Sequence, residues 1–170
     1  WPDWHPRKGG WWFSARRGLT RLVNMDGTRY TLQVLDELRR QGRLSARVRV
    51  PFHYRPHRHP DHLAIASEMA AEWNDDWLAS GFVKMFMDGV IDSTTAVRLD
   101  DYPGQPGFKG ADPLHQPDRF AEICIEADRR GLQIAVHAIG DGAVNRVLNG
   151  YEAARKANGP RDARHRIEHI

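Results

Sequence analysis

The chain is poor in cysteine: Cys124 is the only one in 170 residues. One thiol cannot close an internal disulfide. A disulfide-stapled secreted scaffold is therefore excluded, and a reducing, cytoplasmic setting is expected. Long apolar runs are also missing. No stretch approaches the roughly 18 residues that cross a bilayer, and the opening Trp-Pro-Asp-Trp-His-Pro lacks the apolar core of a secretory leader. No membrane partner is expected. Nor does charge of one sign dominate: 25 Lys and Arg against 22 Asp and Glu leave a formal net charge of +3, too mild to demand a polyanion.

Two absent motifs narrow the enzyme classes. There is no Gly-x-Ser-x-Gly nucleophile elbow, which argues against a doubly wound serine hydrolase. The first strand-to-helix turn, Met25-Asp26-Gly27-Thr28, is not the Gly-rich cradle of a nucleotide-binding sheet.

Apolar residues make up 41% of the chain and charged residues 28%, enough for one ordinary globular core. Residues 1–18 read as an irregular segment carrying Trp1, Trp4, Trp11 and Trp12 among Arg7, Lys8, Arg16 and Arg17. Aromatics among cations can stack single-stranded bases. Such platforms normally sit on sheet faces, so a loop packed on the core is the simpler reading and no nucleic-acid partner is expected. From residue 19 the pattern becomes regular. Strands are expected at 19–25, 46–53, 82–87, 132–136 and 166–170. Between them fall a helix with Leu32, Leu35 and Leu38, a helix over 63–73, a helix from Pro117 with Phe120, Ile123, Cys124 and Ala127 on one face, and a helix from Asp141 with Val144, Val147, Leu148 and Tyr151.

Strand–helix alternation predicts an α/β fold with a parallel sheet. Without a Gly-rich first turn, part of a (β/α)8 TIM barrel fits better than a doubly wound sheet. The predicted strands are too few to close eight, and the last element is a strand with an open edge. The expectation is an incomplete barrel over 19–170, the middle of a larger protein, which self-associates through exposed edges.

Three residues carry the chemistry. Lys84 stands inside Phe-Val-Lys-Met-Phe-Met, where an unpaired ammonium is costly. His137 ends Leu-Gln-Ile-Ala-Val-His, and His169 ends Arg-Ile-Glu-His. Each alone reads as an ordinary salt-bridged or hydrogen-bonded residue. Together, on strands of a parallel barrel, they converge on one mouth and suggest a metal site. An ammonium has no lone pair to ligate with, but a carbamylated lysine is an anion with two oxygens. Asp88 and Asp141, just past two of these strands, are candidate acceptors orienting the ligand imidazoles, with a helix cap the simpler role for Asp141. A competing cluster, His53, His57, His59 and His62, is broken by Pro56 and Pro60 and reads as a loop. The segment 90–116 leaves a strand end, so its Arg98, Tyr102 and Phe108 are candidate substrate contacts.

These motifs resemble the amidohydrolase superfamily, in the branch containing N-substituted formamide deformylase. The resemblance rests on Val-Lys-Met-Phe-Met-Asp-Gly with Ser93-Thr94-Thr95-Ala96, on Gly131 to Asp141, and on Arg166-Ile167-Glu168-His169. It implies a (β/α)8 barrel with this chain as strands two to six. It also implies one or two divalent metals, with zinc expected, Lys84 as a carboxylated bridging ligand, and His137 and His169 as further ligands. The implied reaction is hydrolysis of an amide-type C–N bond in a small molecule, an N-substituted formamide or similar, by metal-activated water. The family's strand-one His-x-His and strand-eight Asp are not among these residues, so the chain alone is expected to be inactive. Two positions depart from the family: Gly142 where Arg is frequent, and Val90 where Ser is frequent. The alternative is a non-catalytic α/β binding module with structural histidines.

Overall fold

The computed structural model describes residue 14 and residues 16–170. Trp1, Trp4, Trp11 and Trp12, which dominate the irregular opening expected over 1–18, lie outside the described residues. Among these, the element order is β1 (Arg21–Val23), α1 (Arg29–Arg40), β2 (Arg47–Arg49), β3 (Phe52–His53), a 3-10 turn (Pro60–His62), α2 (Leu63–Glu72), β4 (Leu78–Ala79), β5 (Phe82–Phe86), α3 (Pro117–Arg129), β6 (Gln133–His137), α4 (Asp141–Asn158) and β7 (Arg166–Glu168). The strands form two parallel sheets, β1-β2-β4 and β3-β5-β6-β7. Their order follows the chain without the reversal that a doubly wound sheet makes at its switch point.

The strand expected over 46–53 is two strands. Pro51 has no N–H to give to a ladder, so β2 ends and β3 begins around it. The neighbouring course breaks at the same height, between β4 and β5, where Gly81 takes a φ of 89°. The crease is hydrogen-bonded: Val50 N–H donates to the Ala79 carbonyl (2.9 Å), and the Ser80 hydroxyl donates to the Val50 carbonyl (2.9 Å).

One sheet face is covered by helices. Val48, Phe52, Val83, Met85, Ile134 and Val136 share a buried cluster with Leu32, Leu35, Leu63, Met69, Phe120, Ile123 and Val147. Strand alternation sends Arg49, His53, Phe82, Lys84, Phe86, His137 and Glu168 to the other face. The stripe of α3 is the expected one, with Phe120, Ile123, Cys124 and Ala127 buried. That of α4 differs: Leu148 is 53% exposed, and Ala143, Gly150 and Ala154 are buried instead. A Cβ on Gly150 would come within 2.4 Å of the Phe120 ring, so only small residues let α4 approach α3 this closely.

Residues 88–116 form no long helix or strand, yet they are tied down by backbone bonds. Leu114 N–H donates to the Met87 carbonyl (2.9 Å) and Arg98 N–H to the Lys109 carbonyl (2.8 Å). Among the described residues, no helix is long and apolar enough to cross a membrane.

Candidate active site

Parallel register fixes what meets at the C-terminal ends of the strands. Lys84 lies opposite His53 on β3 and Ala135 on β6, Phe86 opposite His137, and His137 opposite Glu168. Lys84 is 1% exposed. Its Nζ donates to the Met85 carbonyl at 3.1 Å and lies 3.5 Å from the centroid of the Phe86 ring. Burial pushes its pKa down to about 8, against the pull of the Glu168 and Asp26 charges. Such a lysine gives up its proton far more readily than one in water.

His137 is buried, with Nε2 2.8 Å from the Gly89 carbonyl. Its ring packs on Phe86 (4.9 Å between centroids) and meets the His169 ring edge-on (4.8 Å, 62°). His169 is exposed and follows β7 directly. Its φ is 80°, in the left-handed region that is uncommon for a non-glycine residue. The structure thus brings His137 and His169 into contact and joins Lys84 to them through Phe86.

Asp88 does different work from the orienting role expected of it. Its side chain is fully buried and stands 3.8 Å from His137 Nε2, too far for a hydrogen bond. Its oxygens instead accept backbone N–H groups from Val97 (2.9 Å), Ile139 (3.0 Å) and Gly140 (2.9 Å). The acceptor that fixes the His137 ring is the Gly89 carbonyl. Asp141 is the first residue of α4 and not its cap, which is Gly140. Asp141 Oδ1 accepts the Leu99 N–H (2.9 Å), and the Val97 carbonyl accepts the Ala143 N–H (3.1 Å). The loop therefore caps the helix. A Cβ on Gly140 would come within 1.9 Å of the Val97 oxygen, and one on Gly142 within 3.0 Å of Arg98 backbone.

The three candidate substrate contacts pack on one another. The Arg98 guanidinium lies 5.1 Å from the Tyr102 ring and donates to the Asp101 carbonyl (2.9 Å). Tyr102 is buried with its hydroxyl donating to the Ala96 carbonyl (3.0 Å), and its ring lies 5.7 Å from Phe108. These side chains build the loop's own small core; only Phe108 keeps substantial exposure, at 36%. Among the described residues, no three His, Cys, Asp or Glu side chains gather into a metal-holding group, either in the competing histidine cluster or around His137 and His169. Cys124 is fully buried, and burial raises its thiol pKa, so it is an inert core thiol.

Sequence reasoning missed three neighbours of the site. Phe86 and Glu168 lie on the same strand face as Lys84 and His137. His53 Nδ1 is 3.0 Å from Asp26 Oδ1, and its ring is 5.4 Å from Phe86. Counting by twos from Lys84 would have found Phe86. His53 was hidden by the three histidines that follow it.

The described residues thus form a mixed α/β fold with parallel strands that presents a buried lysine and two touching histidines at one end. The profile of the amidohydrolase family matches residues 13–170, and the chain belongs to that family. It is 42% identical over 94 residues to Protein LONG AFTER FAR-RED 3 of Arabidopsis thaliana, covering 55% of this chain and 16% of that protein. To the N-substituted formamide deformylase of Arthrobacter pascens it is 28% identical over 92 residues, covering 54% and 16%. A crystal structure of an uncharacterized metal-dependent hydrolase from Pyrococcus furiosus superposes with a TM-score of 0.70 at 29% identity, covering 85% of this chain and 30% of that one. The chain thus spans less than a third of the length of these relatives.

Proposed function

We propose that this chain is the central portion, strands two to six, of a (β/α)8 barrel whose whole hydrolyses an amide-type C–N bond in a small molecule. The barrel portion would be 19–170. Strand order without reversal, a uniformly parallel register and a histidine pair at the strand ends support this reading. So does the likeness to a structure described as a metal-dependent hydrolase.

The donor chemistry of Lys84, His137 and His169 suits a divalent metal, zinc being the expected ion. The Gly89 carbonyl can only accept, so the proton of a neutral His137 is on Nε2 and its lone pair on Nδ1. His169 brings a second imidazole to its edge. Lys84 completes the set once its neutral amine adds to carbon dioxide: an N–C bond forms, one proton leaves, and a carbamate with two oxygens remains. Lys84, His137 and His169 would hold such a cation, which would supply Lewis-acid polarisation of a carbonyl and activation of water. The protein's part is to keep those donors in register. Lys84 is held dry under Phe86, and His137 is locked in one tautomer by the loop.

The observation that carries the reading is the buried Lys84 facing the same end as the His137–His169 pair. The test is metal analysis and amide hydrolysis by the full-length protein that contains this chain, with Lys84→Ala alongside. One or two equivalents of bound metal and turnover lost in the variant are expected. A metal-free active protein would reject the mechanism. The 170-residue chain alone is expected to be inactive and to associate through its open sheet edges; a stable monomer in gel filtration would contradict the second expectation.

A further inference from the structure

His53 and Glu168 are titratable side chains on this face of the sheet that the proposed ligand set does not use; Glu168 is already paired with Arg166 (2.9 Å). Four observations concern His53. It is the last residue of β3, in direct register with Lys84. Its side chain is 21% exposed, so it is neither sealed in the core nor free in water. Its ring packs on Phe86, the residue that also contacts His137 on the far side. Its Nδ1 is 3.0 Å from Asp26 Oδ1, and that carboxylate sits in the loop after β1 and is 84% exposed.

A carboxylate accepts and does not donate, so Nδ1 carries the hydrogen and Nε2 is left with the open valence. Asp26 thereby fixes both the tautomer and the rotation of the imidazole. The result is an oriented imidazole on the residue in register with Lys84. The Phe86 ring offers it apolar surface, 5.4 Å between centroids. An imidazole with one nitrogen anchored to a carboxylate is poor as a structural prop, since the anchor is solvent-exposed and contributes little to stability. It is well suited to holding a ligand group.

The geometry points to His53, oriented by Asp26, as a substrate-positioning residue that hydrogen-bonds through Nε2 to the amide group of the substrate. It rests on the amidohydrolase reading given above. The ligand chemistry it selects is a secondary amide, whose N–H can donate to that nitrogen. A tertiary amide has no such hydrogen and gains nothing from the contact.

The test uses the full-length protein with paired N-alkylformamides and N,N-dialkylformamides as probes. In His53→Ala, kcat/KM for the secondary amide is expected to fall roughly 10-fold to 100-fold, the loss of one oriented hydrogen bond. The tertiary amide should be nearly unaffected, and metal content by mass spectrometry unchanged. His53→Gln, which can offer a carbonyl oxygen near the same position, should recover part of the loss. Asp26→Ala should reproduce the defect more weakly, and Asp26→Asn, which still accepts from Nδ1–H, more weakly still. Equal losses on both amides, or none on either, would overturn the proposal while Lys84→Ala remained inactive and the hydrolase reading stood. Loss of metal in His53→Ala would overturn it by making His53 a ligand. A wild-type protein with neither metal nor turnover would remove both readings together.

Discussion

His137 Nε2 and the Gly89 carbonyl oxygen are 2.8 Å apart. Since the carbonyl can only accept, this contact decides which nitrogen of His137 faces outward with a lone pair. The two nitrogens can be separated by substitution. Asparagine places an amide oxygen near Nδ1, whereas glutamine places its amide near Nε2. In the full-length protein, His137→Asn is expected to retain more bound metal than His137→Gln, measured by elemental analysis after gel filtration. The opposite order would assign the ligand to Nε2.

Lys84 should be reactive towards carbon dioxide. With its pKa held near about 8 by burial, roughly a tenth of it is neutral at pH 7, and only the neutral amine adds. Carbon-13 bicarbonate is expected to give a carbamate resonance that Lys84→Ala abolishes. Turnover in that variant should fall about 10³-fold or more, as for loss of a central catalytic group.

Asp88→Ala should be among the most damaging substitutions. It strands three N–H groups, the buried ones of Val97 and Gly140 and the half-buried one of Ile139, and each buried orphaned donor costs about 1–3 kcal/mol. A loss of about 3 kcal/mol or more in urea unfolding is expected. Asp88→Asn keeps one acceptor oxygen and should lose less.

Much of this architecture was legible in advance, for physical reasons. Burial on both faces makes 82–87 and 132–136 short apolar runs, alternation marks 46–53, and amphipathic stripes write a helical period into 117–129. The breaks in the strands were not legible as such. Pro51 signals a missing donor, but nothing local says that Gly81 breaks the adjacent course at the same height. Lys84, His137 and His169 were findable because polar residues stand out in apolar strands. The partnership of His137 with Gly89 was not, because it spans 48 positions and uses a carbonyl, which every residue has. Asp88 looked like a ligand-orienting acid because of its place after a strand. Its actual bonds are to amides that no side-chain pattern reveals.

His115 predicts an acid-sensitive element on the helix-covered side of the sheet. It is 3% exposed, with Nε2 lacking a partner, between Tyr54 and Phe120. Burial, and the nearby Arg119 charge, lower its pKa from 6.5 to about 4. The unfolded chain therefore binds a proton that the folded chain refuses between these values. Stability is full above about 6.5 and falls as pH drops towards about 4, by up to about 3 kcal/mol. His115→Phe should flatten that slope without loss of stability at neutral pH, because it removes an unpaired polar atom. An unchanged slope in pH-dependent urea unfolding would reject the assignment.

The position of Phe86 has a steric corollary. With Nζ of Lys84 already 3.5 Å from the ring centroid, the benzyl face is in van der Waals contact and has no room for two more oxygens. Any carboxylate grown on that nitrogen must project sideways towards the open strand ends or swing the aromatic ring aside. Phe86 is therefore a gauge of the lysine's chemical state, readable as a ring-proton shift when carbon dioxide is admitted.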